Sequence, residues 1–78
     1  MATMTNRKYS VVIEPTDTGF GAYVPDLPGC VSTGATLAEV EGNIREAIAF
    51  HLDGMIEDGD PIPEPRALGT SVEVASAA

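Results

Sequence analysis

The chain has 78 residues, 12 of them acidic and 4 basic, for a formal net charge of −8 at pH 7. That length holds one domain with a small core, burying about 60–65% of the unfolded surface. The charge disfavours nucleic-acid phosphates and anionic membranes and favours cations and basic proteins.

A core this small needs a staple or a partner. One cysteine rules out an internal disulfide, and no Cys/His set has the spacing of a zinc site. No apolar run approaches the roughly 20 residues of a bilayer span. The start, MATMTNRKYS, lacks an apolar leader core. An unpaired Cys30 fits a reducing compartment, so a cytoplasmic location is expected. Residues 1–7 read as a flexible N-terminus, 8–76 as a single domain and 77–78 as a tail.

Residues 8–15 (KYSVVIEP) are β-rich. Tyr9, Val11 and Ile13 alternate onto one face, Ser10, Val12 and Glu14 onto the other. Pro15 is expected to end the pairing. A hairpin turn comes next in TDTGFG, with Gly19 free for positive φ. Residues 20–25 return as an antiparallel strand with Phe20, Ala22 and Val24 opposite Gly21 and Tyr23.

PDLPG (25–29) is a tight corner, because each proline fixes φ and removes a donor, and Gly29 suits a type II turn after Pro28. Residues 30–35 form a third strand, Cys30 and Ser32 on one face and Val31 on the other. TLAE (36–39) is a capping box. From it, Leu37, Val40, Ile44, Ala47, Ile48, Leu52, Met55 and Ile56 recur at helical spacing. Glu41 and Arg45 sit in favourable i,i+4 order. Gly42, unfavourable in a helix, would mark a close approach to the sheet. Gly59 and Pro61 stop the helix. Residues 61–69 are an extended proline-rich connection, and 70–76 (TSVEVAS) alternate as a fourth strand.

The predicted order is β-β-β-α-β. It gives an α+β, two-layer fold with a three-stranded antiparallel meander, one long amphipathic helix across it, and a fourth strand. The uncovered sheet face and its edges are places for a second chain.

Few residues invite chemistry. Cys30 has no neighbouring base in the pattern and reads as core packing rather than as a nucleophile. His51, the only histidine, lies beside the apolar stripe. It reads as a packed side chain, with a pH-sensitive interface as the alternative. Glu14, Asp26 and Glu39 stand where a two-metal nuclease would place carboxylates, but a solvated acidic surface accounts for them. No catalytic residue, metal ligand or cofactor site emerges, so the protein is read as a non-enzyme.

Taken together, Tyr23-x-Pro25-Asp26-Leu27-Pro28-Gly29-Cys30, Thr33-Gly34-x-Thr36-x-x-Glu39, Asn43-x-x-Glu46-Ala47 and Glu57-Asp58-Gly59-x-x-Ile62-Pro63-x-Pro65 resemble the HicB antitoxin family over residues 9 to about 65. The resemblance implies a reduced ribonuclease H-like fold with three antiparallel strands, a helix and a further strand. It also implies a role, covering the active site of a HicA-like toxin, a small basic ribonuclease. Acid against base matches the charge reading. The acidic corner and helix exit, Asp26, Glu57 and Asp58, are then toxin-facing candidates. Many members continue into a DNA-binding domain, whereas only a short run lies beyond Pro65 here, so no DNA-binding domain and no direct nucleic-acid contact are expected. A homodimer or higher oligomer is expected. The competing readings are a self-assembling HicB-like module with another binding or regulatory role and, more remotely, a metal-dependent hydrolase.

Overall fold

Two short strands form a hairpin. In the computed structural model, which describes residues 6–77, β1 is Val12–Thr16 and β2 is Gly19–Tyr23. They pair antiparallel from Val12↔Tyr23 to Thr16↔Gly19 around the two-residue turn Asp17-Thr18. β3, Val31–Gly34, pairs antiparallel with β2 from Tyr23↔Val31 to Phe20↔Gly34, giving the sheet order β1-β2-β3. The helix α1, Leu37–Asp58, comes after it. Residues 1–5 of the expected flexible N-terminus, and Ala78 of the expected tail, lie outside the described residues.

Three local expectations are corrected. The first strand starts at Val12 rather than at Lys8, because β2 ends at Tyr23 and offers residues 8–11 no ladder partner. Pro15 does not end the pairing but sits opposite Phe20 inside it. β1 is an edge strand, where a missing N–H is tolerated. Gly19 does not take positive φ; the glycines that do are Gly29 (φ 85°) and Gly59 (φ 75°). A Cβ on Gly19 would collide with the carbonyl oxygen of Gly34, so packing excludes a side chain there.

The alternation puts Ala22, Val24 and Cys30 on the helix side, where all three are buried with Leu27, Val40 and Ile44. Tyr9, Val11, Ile13, Phe20, Ala47, Ile48 and Leu52 pack around this centre. The other face carries the row Val12, Tyr23 and Val31, paired in register, with Val31 64% exposed.

Thr36 caps the helix by accepting from the backbone N–H of Glu39 at 3.1 Å. At the other end the Gly59 amide donates to the Ile56 carbonyl and the Asp60 amide to the Met55 carbonyl, the pairing of a Schellman motif. The apolar stripe is fully buried at Val40 and Ile44 in its N-terminal half; Ala47, Ile48, Leu52 and Met55 are partly buried, and Leu37 and Ile56 at its ends are exposed. The Glu41–Arg45 pair is not closed; among the described residues, the ion pair within 4 Å is Arg7–Glu64. The close approach of helix to sheet falls at Gly34, where a Cβ would lie 2.5 Å from the Val40 amide nitrogen; Gly42 faces open space.

The helix crosses β2 and β3 and leaves β1 to one side. Beyond it, residues 59–77 hold no strand, so the fourth strand expected over 70–76 is not formed within the chain. Instead, side-chain bonds from residues 7, 9, 10 and 26 fix residues 63–67 to the body, and the chain then leaves it. The molecule measures 58 × 26 × 20 Å, with a radius of gyration of 15.2 Å. A compact domain of this length has about 11–12 Å.

Candidate functional site

The corner between β2 and β3 is built by two consecutive turns. The Leu27 amide donates to the Val24 carbonyl at 3.1 Å and the Cys30 amide to the Leu27 carbonyl at 3.0 Å. Pro25 and Pro28 preset φ after the first residue of each turn, and Gly29 supplies the positive φ of a type II turn. The Val24 amide closes the base onto the Cys30 carbonyl at 3.2 Å. Leu27, between the prolines, is fully buried. It belongs to no period-2 or helical pattern, so periodicity misses it. The signal in the sequence is a lone apolar residue between two turn prolines.

Asp26 points to the C-terminal segment. Its Oδ2 accepts from the Arg66 amide at 2.8 Å and the Ala67 amide at 2.9 Å. These bonds, Ala67 first, hold its carboxyl below the usual range. Ser10 Oγ donates to the Ala67 carbonyl at 2.6 Å, and the Tyr9 hydroxyl donates to the Pro63 carbonyl. Burial pushes the Tyr9 hydroxyl pKa up.

Between the corner and the second half of α1 lies an open groove of about 480 Å³. Cys30, Val31, Phe50, His51, Met55 and Asp58 line it. Phe50 is 83% exposed, an apolar ring held in water by a well-capped helix. Large apolar groups displayed around a groove mark a surface for another protein. Burial pushes the Cys30 thiol up, the wrong direction for a nucleophile.

The helix exit is acidic. Glu57 and Asp58 are followed by Asp60, with no basic residue in the last turn. The negative end of a helix disfavours carboxylates, so their placement there runs against helix stability and concentrates negative potential beside the groove. Of the three toxin-facing candidates, Asp58 lines the groove and Glu57 is its exposed neighbour, while Asp26 lies in the corner with its carboxylate on the tail amides. Glu14, Asp26 and Glu39 are not brought together: among the described residues, no three His, Cys, Asp or Glu side chains gather as a metal site would need. No helix among these residues is long and apolar enough to cross a membrane.

Known proteins resemble this chain in sequence and fold. The chain is 46% identical over 56 residues to a 14.9 kDa protein from the rep-hol intergenic region of Haemophilus phage HP1, covering 72% of this chain and 42% of the phage protein. It is 33% identical over 70 residues to antitoxin HicB 2 of Photorhabdus laumondii, covering 88% of this chain and 50% of that one. The chain therefore spans half or less of the length of these relatives. Its fold matches a chain in a solved HicA3 and HicB3 toxin–antitoxin complex with a TM-score of 0.68 and 37% identity, over 76% of this chain and 70% of the other. Residues 9–76 match the family model described as HicB_like antitoxin of bacterial toxin-antitoxin system, and the chain belongs to that family.

Proposed function

We propose that this chain is the antitoxin half of a toxin–antitoxin pair, acting in the cytoplasm by binding a HicA-like basic ribonuclease and covering its active site. The observation that carries this reading is the likeness to a chain solved as part of a HicA3–HicB3 complex. It is supported by the acidic helix exit beside an apolar groove, where a basic partner gains charge complementarity at the rim and apolar burial at the centre. Glu57 and Asp58 face the toxin in this reading. Asp26 contributes from the corner, and also by holding the C-terminal segment in place. The chain acts on a protein and touches no nucleic acid itself, its net charge of −8 opposing that contact.

The test is neutralisation: a HicA-like toxin encoded next to this chain, assayed for RNA cleavage with increasing amounts of this protein. Stoichiometric inhibition is expected. Charge reversal of Glu57 and Asp58 together is expected to weaken inhibition at least tenfold; unchanged inhibition would refute the placement of the site.

We also propose that the chain self-associates. The exposed apolar side chains of Leu68, Val72 and Val74, 94%, 78% and 76% accessible, support this second reading.

A further inference from the structure

Because α1 lies over β2 and β3, the inward face of β1 and its approach are left partly uncovered. The gap is a groove of about 560 Å³ with Val11, Ile13, Ile44 and Ile48 along its floor. Its rim holds Arg7, Lys8 and Arg45, three of the four basic residues in the whole chain, and the carboxylate of Glu41. Arg7 is shared with Glu64 at 3.4 Å; Lys8 and Arg45 have no carboxylate within 4 Å among the described residues. In a chain of net charge −8, this groove is where an apolar segment carrying an acidic group would be accepted and a basic toxin refused.

The chain also displays such a segment. Residues 71–75 read Ser-Val-Glu-Val-Ala, alternating as a strand does, yet pair with nothing in their own sheet and stand exposed. The Asp26 and Ser10 bonds fix the chain at Arg66 and Ala67. Beyond Ala67 the chain leaves the body, which accounts for the 58 Å length. Two copies docked groove to groove would set their basic rims against each other, an arrangement that like charges disfavour.

We propose that the groove between β1 and α1 of one copy receives the C-terminal segment of a second copy, Val72 and Val74 on the apolar floor and Glu73 toward Lys8 and Arg45. Exchanged reciprocally, the two segments close a symmetric dimer. This rests on the reading that the chain self-associates and names the surface that does so.

The experiment is analytical ultracentrifugation of the full chain at micromolar concentration, with two variants. One is Val72→Asp with Val74→Asp; the other is Arg45→Glu. All three positions are exposed, so circular dichroism should report an intact fold. Wild type should be a dimer, each variant should dissociate at least tenfold more readily, and an equimolar mixture should recover part of the association, since one intact segment then meets one intact groove. A wild-type dimer indifferent to both variants would overturn this surface and leave self-association standing. A monomeric wild type would overturn both, including the case in which the segment folds back on its own groove. An Arg45→Glu variant that keeps the dimer but loses toxin binding would give the groove to the toxin instead.

Discussion

Asp26 shows how one side chain can anchor a distant segment of the chain. One of its oxygens takes two consecutive backbone amides from a segment forty residues away. Because those bonds depress its folded pKa, the anchoring is complete above the ordinary carboxylate range and is lost as pH falls through the lowered folded value. Protection of the Arg66 and Ala67 amides, measured by hydrogen exchange in NMR, should therefore be pH-independent near neutrality and collapse in acid. Asp26→Ala should remove it at every pH; protection that survives the substitution would contradict the assignment. Gly34 carries a different constraint. Its missing side chain lets the start of α1 sit on β3, and the nearest atoms a methyl group would meet are backbone. Gly34→Ala should destabilise the fold by roughly 1–3 kcal/mol in chemical denaturation, the range for overpacking a tight contact. The same change at Gly42, which faces open space, should stabilise it by about 0.5–1 kcal/mol through helix propensity.

Among the elements, α1 was the most legible from sequence. The capping box, the three- and four-residue spacing and the Gly59 stop each involve neighbours a few residues apart, and the Thr36 cap, the buried Val40 and Ile44 and the Gly59 stop are all present. The corner was legible for the same reason. The limits of β1, the role of Gly19 and the missing fourth strand were not, because each depends on what lies across the sheet rather than along the chain. Residues 8–11 have good strand composition but no partner strand, and residues 70–76 alternate without forming a strand of the sheet. Of the candidate site, the acids were legible by composition, but the burial of Leu27, the exposure of Phe50 and the groove that Phe50 lines needed the packed structure. The helix exit carries its own prediction. Glu57 and Asp58 oppose the helix dipole, so Glu57→Gln with Asp58→Asn should raise stability by about 0.3–1 kcal/mol per site, read as a higher thermal midpoint, while weakening toxin binding. Weaker binding with lower stability would instead mark the two acids as structural.

The whole molecule separates its charge. Acidic groups crowd the helix exit beside one groove, while three of its four cations border another. In the proposed reading, two surfaces of opposite character let one small chain hold a basic partner and a copy of itself without the two competing. The short core gives a reason for both, since burial against partners supplies what 78 residues supply poorly alone. The measurement that tests the central claim most directly is the affinity of this protein for a HicA-like toxin by titration calorimetry at low and at physiological salt. Binding that is tight, blocks RNA cleavage and weakens at least tenfold as salt rises is the predicted result. No binding, or binding that leaves cleavage running, would contradict it.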